Sequence, residues 1–282
     1  MPNVTPYLRP MAFLPYFFGF LALLGAALWL RARLKRRRRD RILATRLTAE
    51  QRMALDRLVP LVNRMPADLQ VRLEGKINLF LDQITLRGHG GIEVTEAMRL
   101  SIAAQACILI VNSNAWYETL RNVLIYPSVF RTRRDTHDGV TVHNREYHMA
   151  GESWTRGPVV LSWDDALEGG LDPSDGYNVV IHEFAHQLDS LTGHTNGIPI
   201  LSKGQRYEGW EEAMLEAYQR HLGRVQHGQD TVIDPYGATN HEEFFAEAIV
   251  AFFERPGDLK RAEPALYKQL QQLLALDPVN WG

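Results

Sequence analysis

The chain has 282 residues, 45% of them hydrophobic and 23% charged, with 31 Lys+Arg against 33 Asp+Glu. This apolar content and a formal charge of −2 exclude a disordered chain. A single cysteine excludes a disulfide-stapled scaffold and a cysteine-rich metal site, and the length allows one or two domains with an ample core.

Residues 1–10 read as a short tail. From Met11 to Leu30 the sequence MAFLPYFFGFLALLGAALWL carries no charge. A helix of that length spans roughly 30 Å, the hydrocarbon thickness of a bilayer. Its apolarity runs all round, unlike a core helix with a polar face. Residues 11–30 are therefore expected to form a transmembrane helix, with Pro15 tolerated in the first turns.

A basic juxtamembrane segment follows at residues 31–41, carrying Arg31, Arg33, Lys35, Arg36, Arg37, Arg38, Arg39 and Arg41. Only Arg9 precedes the span. The positive-inside rule then puts everything after residue 30 in the cytoplasm, as expected of a single-pass protein of the inner (cytoplasmic) membrane. A cleaved signal would carry its charge ahead of the apolar run. At this position the basic run suits anionic lipid better than nucleic acid, so membrane lipid is the expected partner of residues 11–41. Cys107 agrees with a reducing compartment. Nine of the 31 basic residues and one of the 33 acidic ones lie in residues 1–41, so the remainder carries a formal charge of about −10. No nucleic-acid partner is expected of so acidic a body.

Residues 42–282 show no repeat and no linker, and read as one domain. Thr48 opens a helix with a T-A-E-Q capping box, continued by Met53, Leu55, Leu58, Val59 and Val62. Leu69 to Leu86 reads as a second helix ending near Gly88. Thr95 starts a third, carrying Cys107 to Val111. Strand patterns then appear at 123–126, 140–148 and 159–163. Helices return over 175–191, 208–225, 241–254 and 264–276. Few strands among many helices make an α+β domain with a small sheet.

Residues 179–189 read VVIHEFAHQLD. His182 and His186 are one helical turn apart on one face, where two neutral imidazoles can share a zinc ion. Glu183 projects beside them, placed to take a proton from an activated water. Ser174 and Asp175 read as the cap of this helix and Gly193 as its stop. Zinc needs a third protein ligand. The metzincin pattern fails, because Asp189 and Thr192 stand where it needs Gly and His. The later segment DPYGATNHEEFFAEAIVAFF offers His241, Glu242, Glu243 and Glu247, with Glu243 and Glu247 one turn apart. Asp189 either orients a ligand histidine or sits exposed on its helix. Tyr236 is either an oxyanion donor or a buried structural tyrosine. Residues 193–207, rich in Gly, Thr and Ser, read as a mobile loop beside the site.

These residues resemble the Mlc titration factor A family, bacterial zinc-dependent peptidases. HEFAHQLD and DPYGATNHEEFFAEAIVAFF carry the resemblance. VLIYP (123–127), TVHN (141–144), GESWTRGPVVLSW (151–163), NGIP (196–199) and LDP (276–278) extend it over about residues 45–282. It implies a zincin-like metallopeptidase core similar to that of anthrax lethal factor, with a small sheet and two metal-bearing helices. It implies one zinc ion held by His182, His186 and Glu243, with Glu183 as the catalytic base and Tyr236 near the metal. Aminopeptidase-type activity on small substrates is implied too, as is binding of the glucose repressor Mlc; a peptide is the expected substrate. The 11–30 span is an addition to the family pattern. Val250 stands where the family has a glutamate, and Glu247 lies almost one turn earlier. By analogy with zincins, residues 154–163 supply an edge strand for an extended substrate. The expectation is a membrane-anchored zinc peptidase facing the cytoplasm. The alternatives are a regulator that sequesters a repressor, with hydrolysis secondary, and a metal-dependent amidase.

Overall fold

The computed structural model describes residues 13–128 and 157–282. The strand pattern at 140–148 and the TVHN segment lie outside the described residues. The chain divides into two compact units, Met1–Thr45 and Arg46–Gly282.

The first unit is one helix, α1 (Phe13–Leu43). From Tyr16 onward it is long and apolar enough, by length and composition, to cross a membrane. Phe18, Phe20, Leu23 and Trp29 are all exposed on it. The helix continues unbroken through the basic run, because Arg and Lys are good helix formers. The Arg33 guanidinium stacks 5.0 Å above the Trp29 ring.

The second unit is mostly helical around a small sheet. Helix α2 (Ala49–Leu58) starts at Thr48 with the expected capping box, the Thr48 side chain accepting from the Gln51 backbone N–H. A short α3 (Leu61–Arg64) leads to α4 (Ala67–Gln83). The helix expected to run to Leu86 stops at Gln83, and Thr85–Gly88 form strand β1 instead. β-Branched Ile84 and Thr85 favour extended backbone. The sheet then buries Leu86 and takes the Thr85 N–H on the Arg121 carbonyl, 2.9 Å away. Helix α5 (Glu96–Ile108), capped by Thr95, crosses over to β2 (Asn122–Tyr126). Leu109 to Val111, expected at its end, form a buried turn.

Strand β3 (Val159–Ser162) completes a parallel sheet of order β1-β2-β3, in register Leu86↔Val123 and Val123↔Val159. Leu86, Val123, Ile125, Val159 and Leu161 bury one face of it. Ser162 caps α6 (Trp163–Leu171), which the paired glycines Gly169-Gly170 conceal in the sequence. Those glycines are needed for packing. A Cβ on Gly169 would stand 2.9 Å from the Asn178 Cα, the residue that starts the next helix.

That helix is α7 (Val179–Asp189), shorter than the expected 175–191. Asn178 caps it, not Ser174 or Asp175; its side chain accepts from the Ile181 N–H at 2.9 Å. Asp172 and Asp175 instead accept from the backbone N–H two residues on, which turns the chain before the helix begins. Helix α8 (Tyr207–Gln226), a 3-10 turn at Pro235–Ala238, α9 (His241–Glu254), α10 (Pro256–Ala262) and α11 (Pro264–Leu274) complete the unit.

Candidate metal centre

Helix α7 owes its orientation to its apolar side. Val180, Ile181, Phe184 and Ala185 are fully buried. The Phe184 ring packs edge-on to Tyr117 at 5.0 Å and against Phe80 at 5.7 Å. With that side fixed in the core, the helical period turns His182 and His186 toward α9. The two helices run antiparallel, since His186 meets Glu243 while His182, one turn back, also reaches Glu247, one turn on.

Three donor atoms converge between them. His182 Nε2 and His186 Nε2 are 3.1 Å apart, and Glu243 Oε2 lies 3.1 Å from the first and 3.3 Å from the second. Among the described residues this is the group of His and carboxylate side chains able to hold a metal ion. A tetrahedral ion with bonds of ~2.0–2.1 Å places neighbouring ligand atoms ~3.3 Å apart. The observed spacing fits that shell. The donor set of two nitrogens and one oxygen also leaves a fourth position open for water or substrate.

Of the four candidates for the third position, the structure separates each. Glu243 joins the cluster, and Asn240 caps α9 by accepting from the Glu243 N–H at 2.8 Å, which fixes the backbone under that carboxylate. Glu247 goes to the other ring nitrogen: its Oε1 lies 3.1 Å from His182 Nδ1. His241 is exposed and packs on the Tyr218 ring at 4.2 Å. Glu242 stays partly exposed at the rim, where burial raises its pKa.

Charge in the centre is strongly coupled. Burial opposes charge on His182, but the carboxylates of Glu243 and Glu247 outweigh it and raise its pKa well above the ordinary histidine range. Burial likewise opposes charge on Glu243, yet the two histidines hold its carboxyl far below the ordinary value. The carboxylates thus favour positive charge on His182, and the histidines favour negative charge on Glu243.

Glu183 is partly exposed beside the cluster and contributes negative potential at both His182 and Tyr236. Tyr236 comes from the 3-10 turn after Asp234, whose side chain accepts from the Tyr236 N–H at 2.9 Å. Its ring centroid lies 6.1 Å from that of His182. Burial, then the carboxylates of Glu243, Glu183 and Glu247, push its phenol pKa up, so the hydroxyl keeps its proton.

Two readings of the sequence need correction. Asp189 is neither exposed nor bonded to a ligand histidine. It is fully buried, and its Oδ2 accepts from the Asn196 and Gly197 N–H groups, each at 2.7 Å. Nor is the segment 193–207 loose. Asp189 holds its start, Trp210 Nε1 donates to the Gly197 carbonyl at 3.1 Å, and Ser202 Oγ donates to the Leu273 carbonyl at 2.9 Å. The roles of Glu247 and Asp189 depend on which segment lies opposite, and no local sequence signal reports that.

A helical body with a small parallel sheet thus carries, between antiparallel helices, a His-His-Glu cluster that could hold a metal ion. The chain belongs to the glucose-regulated metallo-peptidase M90 family, which matches residues 33–274. It is 40% identical over 228 residues to the uncharacterized protein slr2042 of Synechocystis sp., covering 79% of this chain and 82% of that protein. It is 31% identical over 231 residues to Mlc titration factor A of Enterobacter sp., covering 79% of this chain and 84% of the relative. Mlc titration factor A of Salmonella arizonae is 32% identical over 229 residues, covering 78% of this chain and 88% of the relative.

Proposed function

We propose that the protein is a membrane-anchored zinc peptidase of aminopeptidase-like type, with a zincin-like catalytic body facing the cytoplasm. The observation that carries this reading is the convergence of His182 Nε2, His186 Nε2 and Glu243 Oε2 at 3.1–3.3 Å, with Glu183 and Tyr236 beside them. His182, His186 and Glu243 are the ligands. Bound zinc supplies a Lewis acid and brings the pKa of a water toward neutrality. Glu183 takes the proton of the attacking water and hands it to the leaving amine. Tyr236, kept protonated, donates to the oxygen on which negative charge develops. Glu247 holds the His182 ring in the orientation that directs Nε2 inward. In this reading an extended peptide substrate pairs with strand β3, whose strand partner among the described residues is β2. Helix α1 supplies the anchor, and its basic half engages anionic headgroups.

The test is zinc analysis with cleavage profiling of the full chain in detergent on a peptide library. Wild type is expected to hold one zinc ion and to cleave. Glu183→Gln should keep the zinc and lose hydrolysis, whereas His182→Ala should lose the zinc. Retained stoichiometric zinc in His182→Ala would overturn the ligand assignment.

A second reading rests on the relatives named Mlc titration factor A. In it the chain binds a transcriptional repressor of the Mlc kind, and hydrolysis is secondary. The two readings part at Glu183→Gln. A physiological effect that survives this substitution favours the repressor-binding reading.

A further inference from the structure

We propose that Asp189, Gly197 and Trp210 form a brace between the two histidine- and glutamate-bearing helices, and that this brace sets how tightly the centre holds its metal. The inference rests on the reading of His182, His186 and Glu243 as metal ligands, and it assigns positioning roles outside that set.

Three contacts build the brace. From α7, a single oxygen of Asp189 accepts both the Asn196 and Gly197 N–H groups at 2.7 Å. From α8, Trp210 Nε1 donates to the Gly197 carbonyl at 3.1 Å, while its ring packs edge-on to Phe245 of α9 at 5.9 Å. Toward α9, Gly197 itself lies against the first turn. It has φ +74°, and a Cβ there would stand 2.9 Å from the His241 carbonyl oxygen. Only glycine fits both the backbone angle and the space.

The consequence follows from position. Asp189 lies three residues after His186, and His241 two residues before Glu243. The turn thus bridges the end of the helix carrying the nitrogen donors and the start of the helix carrying the oxygen donor. It fixes their separation where the 3.3 Å contact between His186 and Glu243 is made. A rigid frame is what a three-ligand site needs to keep its fourth position open; partners bonded directly to the ligands are worth ~10–100-fold in metal affinity, which sets the upper end for a brace one contact further out.

The arrangement at Asp189 also says which replacement should be mild. Its other oxygen, Oδ1, is buried with no hydrogen-bond partner among the described residues. An asparagine can keep both N–H bonds through its one carbonyl oxygen, at the cost of the charge and of a buried amide NH2 in the place of Oδ1. An alanine loses both.

The experiment is zinc competition against a chromophoric chelator on the full chain in detergent, for wild type, Asp189→Asn, Asp189→Ala, Gly197→Ala and Trp210→Phe. Circular dichroism and the unfolding temperature of the metal-free proteins are measured in parallel. The brace predicts a loss of up to ~10–100-fold in zinc affinity for Asp189→Ala and Gly197→Ala, in protein that still unfolds cooperatively. Asp189→Asn should recover most of that affinity. Trp210→Phe, which keeps an aromatic ring but removes the donor and part of the buried indole, should show an intermediate loss. The d–d spectrum of the cobalt-substituted protein should shift in the variants that lose affinity. Unchanged zinc affinity and cobalt spectrum in folded Gly197→Ala and Trp210→Phe would overturn the brace, even if unfolding temperatures fall. Failure of the underlying reading looks different: wild type and His182→Ala would then bind zinc alike.

Discussion

Glu247 Oε1 lies 3.1 Å from His182 Nδ1, on the ring nitrogen that does not face the donor cluster. Glu247 makes this contact from one turn beyond Glu243 on the same helix, and on the proposed reading of His182 as a ligand it orients that ring. Replacing Glu247 with leucine should therefore cost ~10–100-fold in zinc affinity, and Glu247→Gln less, because the amide still offers an acceptor. Chelator competition measures both. Equal affinity in wild type and Glu247→Leu would remove Glu247 from this role.

Tyr236 makes a kinetic prediction. Its hydroxyl stays protonated, and its ring centroid stands 6.1 Å from that of His182. Tyr236→Phe should leave zinc content unchanged and lower kcat by ~100-fold or more, with a small effect on KM, as for loss of one oxyanion donor. A large rise in KM with kcat intact would instead make it a substrate-binding residue.

Glu254 makes a prediction about pH. It sits at the far end of α9, is buried, and accepts from the Gly176 N–H at 3.0 Å beside the turn that caps α7. Burial first, and then the Asp175 carboxylate, raise its pKa from 4.5 to about 9, against the pull of the Asn178 and Gly176 donors. In the unfolded chain it ionises near its ordinary value. Between those two values folding must take up a proton, so stability falls as pH rises from about 4.5 toward 9. Glu254→Gln cannot ionise and should be more stable than wild type at pH 8, by on the order of 1–3 kcal/mol. The difference should shrink toward pH 4.5. Thermal melts across this range check it, and a gap that widens on acidification would contradict the raised pKa.

The anchor is tested by fractionation and topology. Removing residues 1–30 should move the protein from the membrane to the soluble fraction. A reporter fused after Gly282 should behave as cytoplasmic, and an active periplasmic reporter would reverse the orientation. Neutralising Arg36, Arg37, Arg38 and Arg39 should weaken binding of the α1 segment to vesicles containing phosphatidylserine by ~1 kcal/mol per charge, and leave binding to neutral vesicles nearly unchanged.

Much of this molecule is local and could be read residue by residue. The Thr48 capping box, the limits of α9 and the facing of His182 with His186 all follow from interactions spanning four residues or fewer, because helix geometry repeats every turn. So does the charge-free stretch in α1. Its helix continues through the basic run because no residue there breaks it. Where local signals conflicted, the reading failed. Thr85 and Leu86 continue the helical spacing of Leu69 onward but pair as a strand with Asn122 and Val123, and no local signal marks helix α6, whose Gly169 allows close packing on Asn178.

What the sequence determined by itself is the chemistry on offer: a HExxH helix, a later helix rich in glutamate, and an apolar helix with a basic end. Which glutamate meets the histidines was decided by the tertiary structure, because Glu243 lies 57 residues from His186 and its partners depend on how α7 and α9 cross. The antiparallel crossing assigns Glu243 to the inner nitrogens and Glu247 to the outer one. The same packing buries Asp189 against a turn that its own helix gives no sign of.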